Sequence, residues 1–421
     1  MTEDEVAMTL PREPDSFLSI LWNKAKLNAL ILATSLMISP AGTSSARAQV
    51  YSVLHSFAGG SDGATPYGGL VRDGNGVLYG TTFEGGSSGF CSGQGCGVVY
   101  KLGPLGNYKI LHTFAGTPSD GGAPFAELIM NKWGSLYGTT NEGGANGSGT
   151  VFKVLRNSNE VVLHSFDGTD GAAPYAGLLR DGGGNLYSTT NRGGAFDSGV
   201  VFKLSTSDAE TVLYSFDNAD GRFPTSGVIR DRFGNLYGTT NQGGANGNGV
   251  VFKLNASSGK ETVLHSFTGG SDGQYPQAGL ISDGNGNLYG SAYGGSVGSG
   301  GGVVFKLNVF GDTVLYSFSG GSDGTAPGFG YLARDAAGNL YGVTNAGGDL
   351  SCGLYGCGTV FKIDPNGVET VLHAFKGGTD GQYPNSGVIL DQSGNLYGTT
   401  SQGGTYGYGT VFRIANGSSA H

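Results

Sequence analysis

The stretch GNLYGTTNQGGANGNGVVFKL, residues 234–254, contains two runs rich in Val, Leu, Thr and aromatic residues, separated by a glycine-rich loop. Runs of about six such residues, bounded by Gly and Asn, predict two strands joined by a hairpin loop. The loop is superficially similar to the dinucleotide-binding pattern G-x-G-x-x-G, but that pattern requires a helix after the glycines, whose N-terminus faces the pyrophosphate. A strand follows here, so nucleotide binding is not expected.

This stretch is one copy of a repeat that runs through the chain. Around each copy of the motif LYG, or its variant LYS, the same four strand-like blocks recur in the same order. One cycle reads AGLLRD (residues 176–181), NLYSTT (185–190), GVVFKL (199–204) and TVLYSF (211–216). Four short strands in a repeat of about fifty residues are typical of a β-propeller blade, and we name them A, B, C and D. The tyrosines of the seven motifs are Tyr79, Tyr137, Tyr187, Tyr237, Tyr289, Tyr341 and Tyr397.

The order of the blocks predicts how the ring closes. Blocks C and D each occur seven times, but the chain opens on a D block and ends on a C block. The last repeat, with blocks at 386–391, 395–400 and 409–414, therefore lacks its own D strand, and the segment YSVLHSF (51–57) would supply it. We predict an all-β fold, a seven-bladed β-propeller of four-stranded blades spanning residues 49–421 and closed by the N-terminal strand.

Composition argues against disorder and against nucleic acid as a partner. Disordered chains have few aromatic residues and many charges, whereas here 11% of residues are aromatic and 13% are charged. The 82 glycines therefore indicate a turn-rich ordered protein. The formal net charge of −9 repels phosphate backbones.

Residues 1–48 are interpreted as a secretory signal peptide. Lys24 and Lys26 precede the apolar run at 27–38, and Ala46-Arg47-Ala48 provides a small-residue cleavage site. The run is short for a membrane span, so no membrane association is expected after cleavage; an uncleaved amphipathic anchor is the alternative. A secreted or periplasmic location follows from this interpretation.

The four cysteines form two close pairs, each on an insertion in a B–C loop. The pairs are CSGQGC and CGLYGC, in the first and sixth repeats, which are not neighbours in a ring of seven. In an exported protein a disulfide within each loop is therefore expected, and a shared zinc site is not. The predicted disulfides join Cys91 to Cys96 and Cys352 to Cys357.

An aromatic residue stands beside or close to the proline that precedes each A strand. These residues and the B–C loops are expected on one face, around the central channel. We predict them to be ligand-binding residues that stack on sugar rings; packing between blades is the alternative. They are Tyr67, Phe125, Tyr175, Phe223, Tyr275, Phe329 and Tyr383.

Three further sets of polar residues are candidate sites. Asp-Gly in each D–A loop is first a turn signal, although calcium is an open cofactor prediction, with Asp62, Asp170, Asp272 and Asp380 as candidate ligands. Glu84 and Glu142 break the repeat and are weak catalytic candidates. Histidines of the D blocks lie on different blades, too far apart to share a metal ion, and are interpreted as hydrogen-bonded tips at the blade rim: His55, His112, His164, His265 and His373.

The repeat unit, P-x-x-G-L-x-x-D-x-x-G-N-L-Y-G-T-T-x-x-G-G followed by G-T-V-F-K-L and T-V-L-H-S-F, resembles the GloVer (Gloeo/Verruco) tandem repeat of exported bacterial proteins over nearly all of residues 50–414. Its GLxxDxxGNLY core is also similar to the NHL-type propeller repeat. The resemblance implies export but no established activity. Members of that family carry C-terminal surface anchors, whereas this chain ends in ANGSSAH, which favours a secreted or periplasmic protein over an attached one.

Near-identical blades favour a binding module over an enzyme, because multivalent recognition can use equivalent sites whereas catalysis needs one asymmetric site. The predicted function is a secreted propeller that binds extracellular carbohydrate. A protein-interaction scaffold and a polysaccharide-active lyase or hydrolase are the alternatives.

Overall fold

Each repeat folds into a four-stranded antiparallel sheet, and seven such blades form the predicted propeller. The computed structural model describes residues 49–86, 91, 94–295, 301–308, 310–328 and 330–417. The predicted signal peptide, residues 1–48, and the candidate Phe329 lie outside the described residues. No helix that could cross a bilayer occurs in the part of the chain that the structure describes.

The first strand, β1 (Val50–Ser56), belongs to the last blade. Blade 1 contains β2 (Val71–Arg72), β3 (Leu78–Thr82), β4 (Val98–Leu102) and β5 (Tyr108–Thr113); blade 2 contains β7 (Ile129–Met130), β8 (Leu136–Thr140), β10 (Thr150–Val154) and β11 (Glu160–Ser165), with β6 (Gly121–Gly122) and β9 (Glu142–Gly143) paired beside it. Blade 3 contains β12 (Leu179–Arg180), β13 (Leu186–Thr190), β14 (Val200–Leu204) and β15 (Glu210–Ser215); blade 4 contains β16 (Ile229–Arg230), β17 (Asn235–Thr240), β18 (Val250–Asn255) and β19 (Lys260–Ser266).

The remaining blades follow the same plan. Blade 5 contains β20 (Ile281–Ser282), β21 (Leu288–Ala292), β22 (Val303–Asn308) and β23 (Gly311–Ser317). Blade 6 contains β25 (Ala333–Arg334), β26 (Leu340–Ala346), β27 (Thr359–Ile363) and β28 (Glu369–Ala374), and β24 (Thr325–Pro327) also pairs with β26. Blade 7 contains β29 (Ile389–Leu390), β30 (Leu396–Thr400) and β31 (Thr410–Ala415). Single 3-10 turns cover Gly60–Asp62, Leu350–Cys352 and Gly378–Asp380.

Strand A is shorter than the block that predicted it. In blade 3 the block spans six residues, but β12 contains two, because the preceding carbonyls bond to side chains instead of the neighbouring strand. Thr139 of blade 2 donates its hydroxyl to Ala176 O at 2.9 Å, and Ser188 donates to Gly177 O at 2.7 Å. The first threonine of the LYGTT motif thus joins adjacent blades near the channel. The same bond is made by Thr81, Thr189, Thr239 and Thr399.

The motif D-x-x-G-N-L-Y forms the turn between strands A and B. In blade 3, Asp181 accepts hydrogen bonds from the Asn185 backbone and side-chain amides, both at 2.9 Å, and from the Tyr187 hydroxyl at 3.2 Å. Although burial opposes ionisation, these bonds hold the pKa of Asp181 below its ordinary value. One carboxylate therefore fixes both the turn and the tyrosine that follows it.

The hydrophobic core lies mainly between adjacent blades. The aromatic residue that ends each D block packs edge-on against the aromatic residue of strand C in the next blade, with ring centroids 5.1–5.3 Å apart. Such a pair occurs at all seven blade interfaces, so each blade depends on its neighbours for burial. The pairs are Phe57–Tyr100, Phe114–Phe152, Phe166–Phe202, Phe216–Phe252, Phe267–Phe305, Phe318–Phe361 and Phe375–Phe412.

The N-terminal strand closes the ring, as the repeat order predicts. Strand β1 pairs antiparallel with β31, from Val50 opposite Ala415 to Ser56 opposite Thr410. Phe57, directly after β1, is fully buried and packs against Tyr100 of blade 1. The first residues of the described chain therefore complete blade 7 and its interface with blade 1.

Candidate functional site at the central channel

One repeat position lines the central channel, directly before the apolar residue that enters strand A. Five blades carry glycine there: Gly69, Gly177, Gly227, Gly279 and Gly387. Blades 2 and 6 instead carry Glu127 and Tyr331. Neither residue was among the predicted site residues, although the replacement of a repeated glycine is a signal visible in the sequence.

The glycines provide the room that these two side chains occupy. A Cβ atom at Gly279 would lie 2.1 Å from the Tyr331 ring, and one at Gly227 would lie 2.7 Å from the Tyr331 hydroxyl. A Cβ atom at Gly69 would lie 2.9 Å from Oε2 of Glu127. The channel therefore holds two large polar side chains because its other positions have none.

Glu127 and Tyr331 separate two cavities along the channel, since both residues line each of them. On the side of the D–A loops the cavity is a shallow mouth of about 30 Å³, bordered by Tyr67, Phe125, Tyr175 and Thr225. On the other side the cavity is about 440 Å³ and is lined by Leu, Val and Ile side chains together with Arg334, Glu127 and Tyr331. The larger volume is in the range of small-ligand sites.

Burial raises the pKa of both side chains that separate the two cavities. Desolvation raises the pKa of Glu127 to about 7, so that its carboxyl group exchanges protons near neutral pH. Burial, with a smaller contribution from Glu127, also raises the pKa of Tyr331. A carboxyl group with a raised pKa inside a cavity can donate a hydrogen bond or a proton.

Three of the predicted aromatic residues meet at the channel mouth, in blades 1 to 3. The rings of Tyr67 and Phe125 are stacked, with centroids 5.0 Å apart, and Tyr175 meets Phe125 edge-on at 5.1 Å. Phe83, from the B–C loop of blade 1, lies 5.3 Å from Tyr67. All four rings are half-buried. The structure therefore forms an aromatic cluster on one side of the mouth.

The other described aromatic candidates stand before their proline instead of after it. Phe223, Tyr275 and Tyr383 have φ values of 55°, 55° and 57° and are not part of the channel lining. Phe223 lies between two guanidinium groups, those of Arg192 and Arg222, at 4.7 and 5.0 Å. The position of the aromatic residue, before or after its proline, thus divides the described candidates into two groups with different surroundings.

A family model describes the repeat. The model of the Gloeobacter/Verrucomicrobia repeat matches residues 42–232, 161–355 and 224–420. The chain belongs to this repeat family. The resemblance inferred from the motifs is thereby confirmed. None of the curated proteins matches this family member.

Solved structures share the fold of this Gloeobacter/Verrucomicrobia repeat protein at low sequence identity. The extracellular domain of a hybrid two-component system from B. thetaiotaomicron aligns with a TM-score of 0.56 and 11% identity, over 86% of this chain and 39% of that one. A second such domain from B. thetaiotaomicron has a TM-score of 0.53 and 11% identity, over 87% and 41%. A puromycin-hydrolyzing peptidase from Mycobacterium tuberculosis has a TM-score of 0.53 and 10% identity, over 88% and 55%. The repeat protein spans about two fifths of the sensor domains and about half of the peptidase, and the likeness establishes the fold alone.

Both predicted disulfides are present in this family member. Cys91 is bonded to Cys96 and Cys352 to Cys357, each with Cα atoms 5.2 Å apart. A Cβ atom at Gly122, in the following D–A loop, would lie 2.4 Å from the Cys91 sulfur. The disulfide-bonded loops therefore pack beside the D–A loops, on the face that carries the aromatic cluster.

The Asp-Gly aspartates cap the D–A loops and bind the D-strand histidines. In five blades a histidine Nε2 lies 2.8–3.2 Å from an aspartate oxygen, and tyrosine takes the place of histidine at Asp220 and Asp323. The calcium candidates also accept backbone N–H groups, which occupies part of their coordinating capacity: Asp62 from Ala58, Asp170 from Asp167, Asp272 from Thr268 and Asp380 from Lys376. These contacts account for a turn role; calcium binding stays a prediction.

The two catalytic candidates in the B–C loops have different surroundings. Oε2 of Glu84 accepts a hydrogen bond from the Thr65 hydroxyl at 2.7 Å. Burial and, to a smaller extent, the charge of Glu84 raise the pKa of Tyr67. Glu142 lies in β9 and pairs through its backbone with Gly122. Glu84 therefore adjoins the aromatic cluster, and the catalytic role of either carboxylate stays a prediction.

In four blades a glutamate is the first or second residue of the D strand, and it faces the aspartate of the preceding blade. Each of these glutamates has one carboxyl oxygen that is buried without a hydrogen-bond partner. Burial and the neighbouring aspartate raise the pKa of each to about 7. They are Glu160, Glu210, Glu261 and Glu369.

The raised pKa values of two of these glutamates predict that the protein loses stability as pH rises. Glu261 faces Asp220 and Asp217, and Glu369 faces Asp323, in interfaces whose aspartates bind Tyr214 and Tyr316, so no histidine pairs with those aspartates. Because the folded state holds these protons more tightly than the unfolded state, their stabilising contribution is full below about pH 4.5 and is lost as pH rises through about 7.

We expect the double variant Glu261→Gln/Glu369→Gln to lose less stability than the native chain between pH 5 and pH 8. The difference should be about 1 kcal/mol for each residue, since solvent screens these half-exposed groups. Urea unfolding at several pH values measures it. Parallel pH curves for the two proteins would show that these carboxyl groups do not titrate on folding.

Proposed function

We propose that this protein is an exported binding module whose ligand is an extracellular carbohydrate, bound at the channel mouth. The observation that carries the proposal is the aromatic cluster of Tyr67, Phe125 and Tyr175 above the Glu127 carboxyl group. Aromatic rings offer flat apolar surfaces to the C–H faces of sugars, and a carboxyl group can bond to their hydroxyls. The cluster occupies three neighbouring blades and thus makes the site directional.

An extracellular or periplasmic location is part of this proposal. Two disulfides are typical of proteins that fold outside the reducing cytosol. The predicted signal peptide at residues 1–48 supports the same location, and two of the structurally similar propellers are extracellular domains of B. thetaiotaomicron sensor systems.

We expect Tyr67→Ala and Tyr175→Ala each to weaken glycan binding at least about tenfold, since each removes a ring from the mouth. A glycan array with the purified protein would identify the ligand, and calorimetry would measure the affinities. Tyr275→Ala is the matched control, because it deletes a ring of equal size that lies outside the channel lining. Melting temperatures distinguish lost binding from lost packing.

The other outcomes separate the alternatives. No binding on the array would disprove the carbohydrate proposal and favour a protein-interaction scaffold. Lower melting temperatures with unchanged affinity would assign the cluster to packing between blades. A polysaccharide-active enzyme is the second candidate, because the pKa of Glu127 is raised to about 7 beside Tyr331. Cleavage of the bound glycan, abolished by Glu127→Gln, would establish it.

A further inference from the structure

The rim of the interface between blades 1 and 2 brings together three metal-ligating side chains from three segments. His112 lies in β5, Asp120 in the D–A loop and Glu160 at the start of β11. One ligand atom from each residue lies within 4.8 Å of the other two. Among the described residues this is the one group of three or more His, Cys, Asp or Glu side chains arranged so closely.

The same three positions recur at the next interface without this convergence. There His164 bonds to Asp170 at 2.8 Å, and Glu210 begins the following D strand. The ligand atoms of these three residues do not all lie within 4.8 Å of one another. The D–A loop of blade 1 is longer, with six residue steps from Phe114 to Asp120 against four from Phe166 to Asp170. Asp120 is also buried, with 8% exposure, whereas Asp170 is half-buried.

Hydrogen bonds hold the side chains of Asp120 and His112 in place. Oδ2 of Asp120 accepts the backbone N–H of Ala115 at 2.8 Å, and Oδ1 accepts that of Gly121 at 2.7 Å. His112 Nε2 lies 3.1 Å from Oδ2 of Asp120. Backbone bonds like those to Asp120 hold carboxylate ligands in place in known metal sites, and a bound ion would replace the contact between His112 and Asp120.

Glu160 differs from the other D-strand glutamates in lying within 4.8 Å of both a histidine and an aspartate ligand atom. Its Oε1 atom is buried and has no hydrogen-bond partner. Two carboxylates that approach each other in a partly buried site need either a proton or a cation between them.

We propose that His112, Asp120 and Glu160 form a binding site for a divalent transition-metal ion such as Zn²⁺, Co²⁺ or Mn²⁺. One imidazole nitrogen and two carboxylate oxygens are ligands that these ions accept. Ligand atoms stand about 2 Å from such an ion and hence at most about 4 Å apart. The 4.8 Å limit that encloses the three ligand atoms exceeds this spacing by less than about 1 Å. Three protein ligands leave at least one position for water or for a group of a bound partner.

Cobalt provides a direct test, because its visible absorption reports the ligand geometry. Titration of the purified full-length protein, first stripped of metal by dialysis, is expected to show one equivalent of bound Co²⁺. His112→Ala and Glu160→Gln should each weaken Co²⁺ binding by at least about tenfold. Asp120 is left unchanged, since its variants would also lose two loop hydrogen bonds.

The equivalent changes at the next interface are the matched controls. His164→Ala and Glu210→Gln remove the same side chains from the same repeat positions, and Co²⁺ binding should persist in both. Added Zn²⁺ should also raise the melting temperature of the native protein and of the controls, but not that of His112→Ala. The proposal is wrong if no stoichiometric metal binds, or if the controls lose metal as completely as the His112 and Glu160 variants do.

Discussion

Deletion of residues 49–57 is expected to abolish cooperative unfolding, because it removes two supports of the ring at once. Strand β1 occupies one edge of blade 7, where its loss would expose the backbone of β31. Phe57 fills the interface between blades 7 and 1, against Tyr100. Each blade has its core at its neighbours, so an open seam weakens the whole ring.

Two single substitutions in this segment are expected to cause smaller losses of stability than the deletion. Phe57→Ala should cost about 3–5 kcal/mol, as expected for a fully buried aromatic residue. Val50→Ala changes the same strand at a side chain that is 61% exposed and should cost less than about 0.5 kcal/mol. Urea unfolding, followed by circular dichroism, measures the unfolding transition of the deletion variant and of both substitution variants.

A relocated strand provides the rescue experiment. A chain that lacks residues 49–57 but carries YSVLHSF after Ile414, joined by a copy of the Asp364–Val368 turn of blade 6, has the strand order and register of the other blades. Its cooperative transition should return. An unchanged transition in the simple deletion would contradict the role of β1 in closure.

Gly387→Ala is expected to destabilise the protein by about 3 kcal/mol, through a clash at the channel wall that side-chain rotation cannot relieve. An added Cβ atom would lie 2.0 Å from the carbonyl oxygen of Tyr331. In the opposite direction, a Cβ atom at Gly330 would lie 1.6 Å from the Gly387 nitrogen. Blades 6 and 7 therefore touch backbone to backbone, and relief requires the two blades to move apart.

Gly182→Ala is the matched control for this change. Gly182 has no heavy atom within 4 Å of an added Cβ, and neither glycine has a positive φ. The control should therefore be neutral or slightly stabilising. Equal free energies of unfolding for Gly387→Ala and Gly182→Ala would show that the channel wall relaxes freely and does not require glycine.

The candidate site was only partly predictable from the sequence. The seven aromatic residues looked equivalent because each stands on or near a proline, yet among the described residues those directly after the proline enter the channel mouth and those before it do not. Tyr67 and Tyr275 illustrate the two classes. The difference of two positions was visible, but its consequence depends on the backbone, since the residue before the proline adopts a positive φ.

The blade, the number of blades and the closing strand were predictable from the sequence alone. These features follow from short-range rules: the alternation of strand and turn residues, the carboxylate-capped turn at Asp181, and the order in which the blocks begin and end. Both disulfides were predictable for the same reason, because their partners are five residues apart.

The residues that meet from different repeats are visible in the folded ring and not in the sequence. Glu127 and Tyr331 come from blades 2 and 6, and they form one partition because the closed ring places their repeat position at one level of the channel. Glu160 and Glu210 occupy identical repeat positions, but Glu160 alone joins a histidine and an aspartate within 4.8 Å among the described residues. Such convergence depends on the closed ring and on loop conformation across blade interfaces, which a local repeat pattern does not specify.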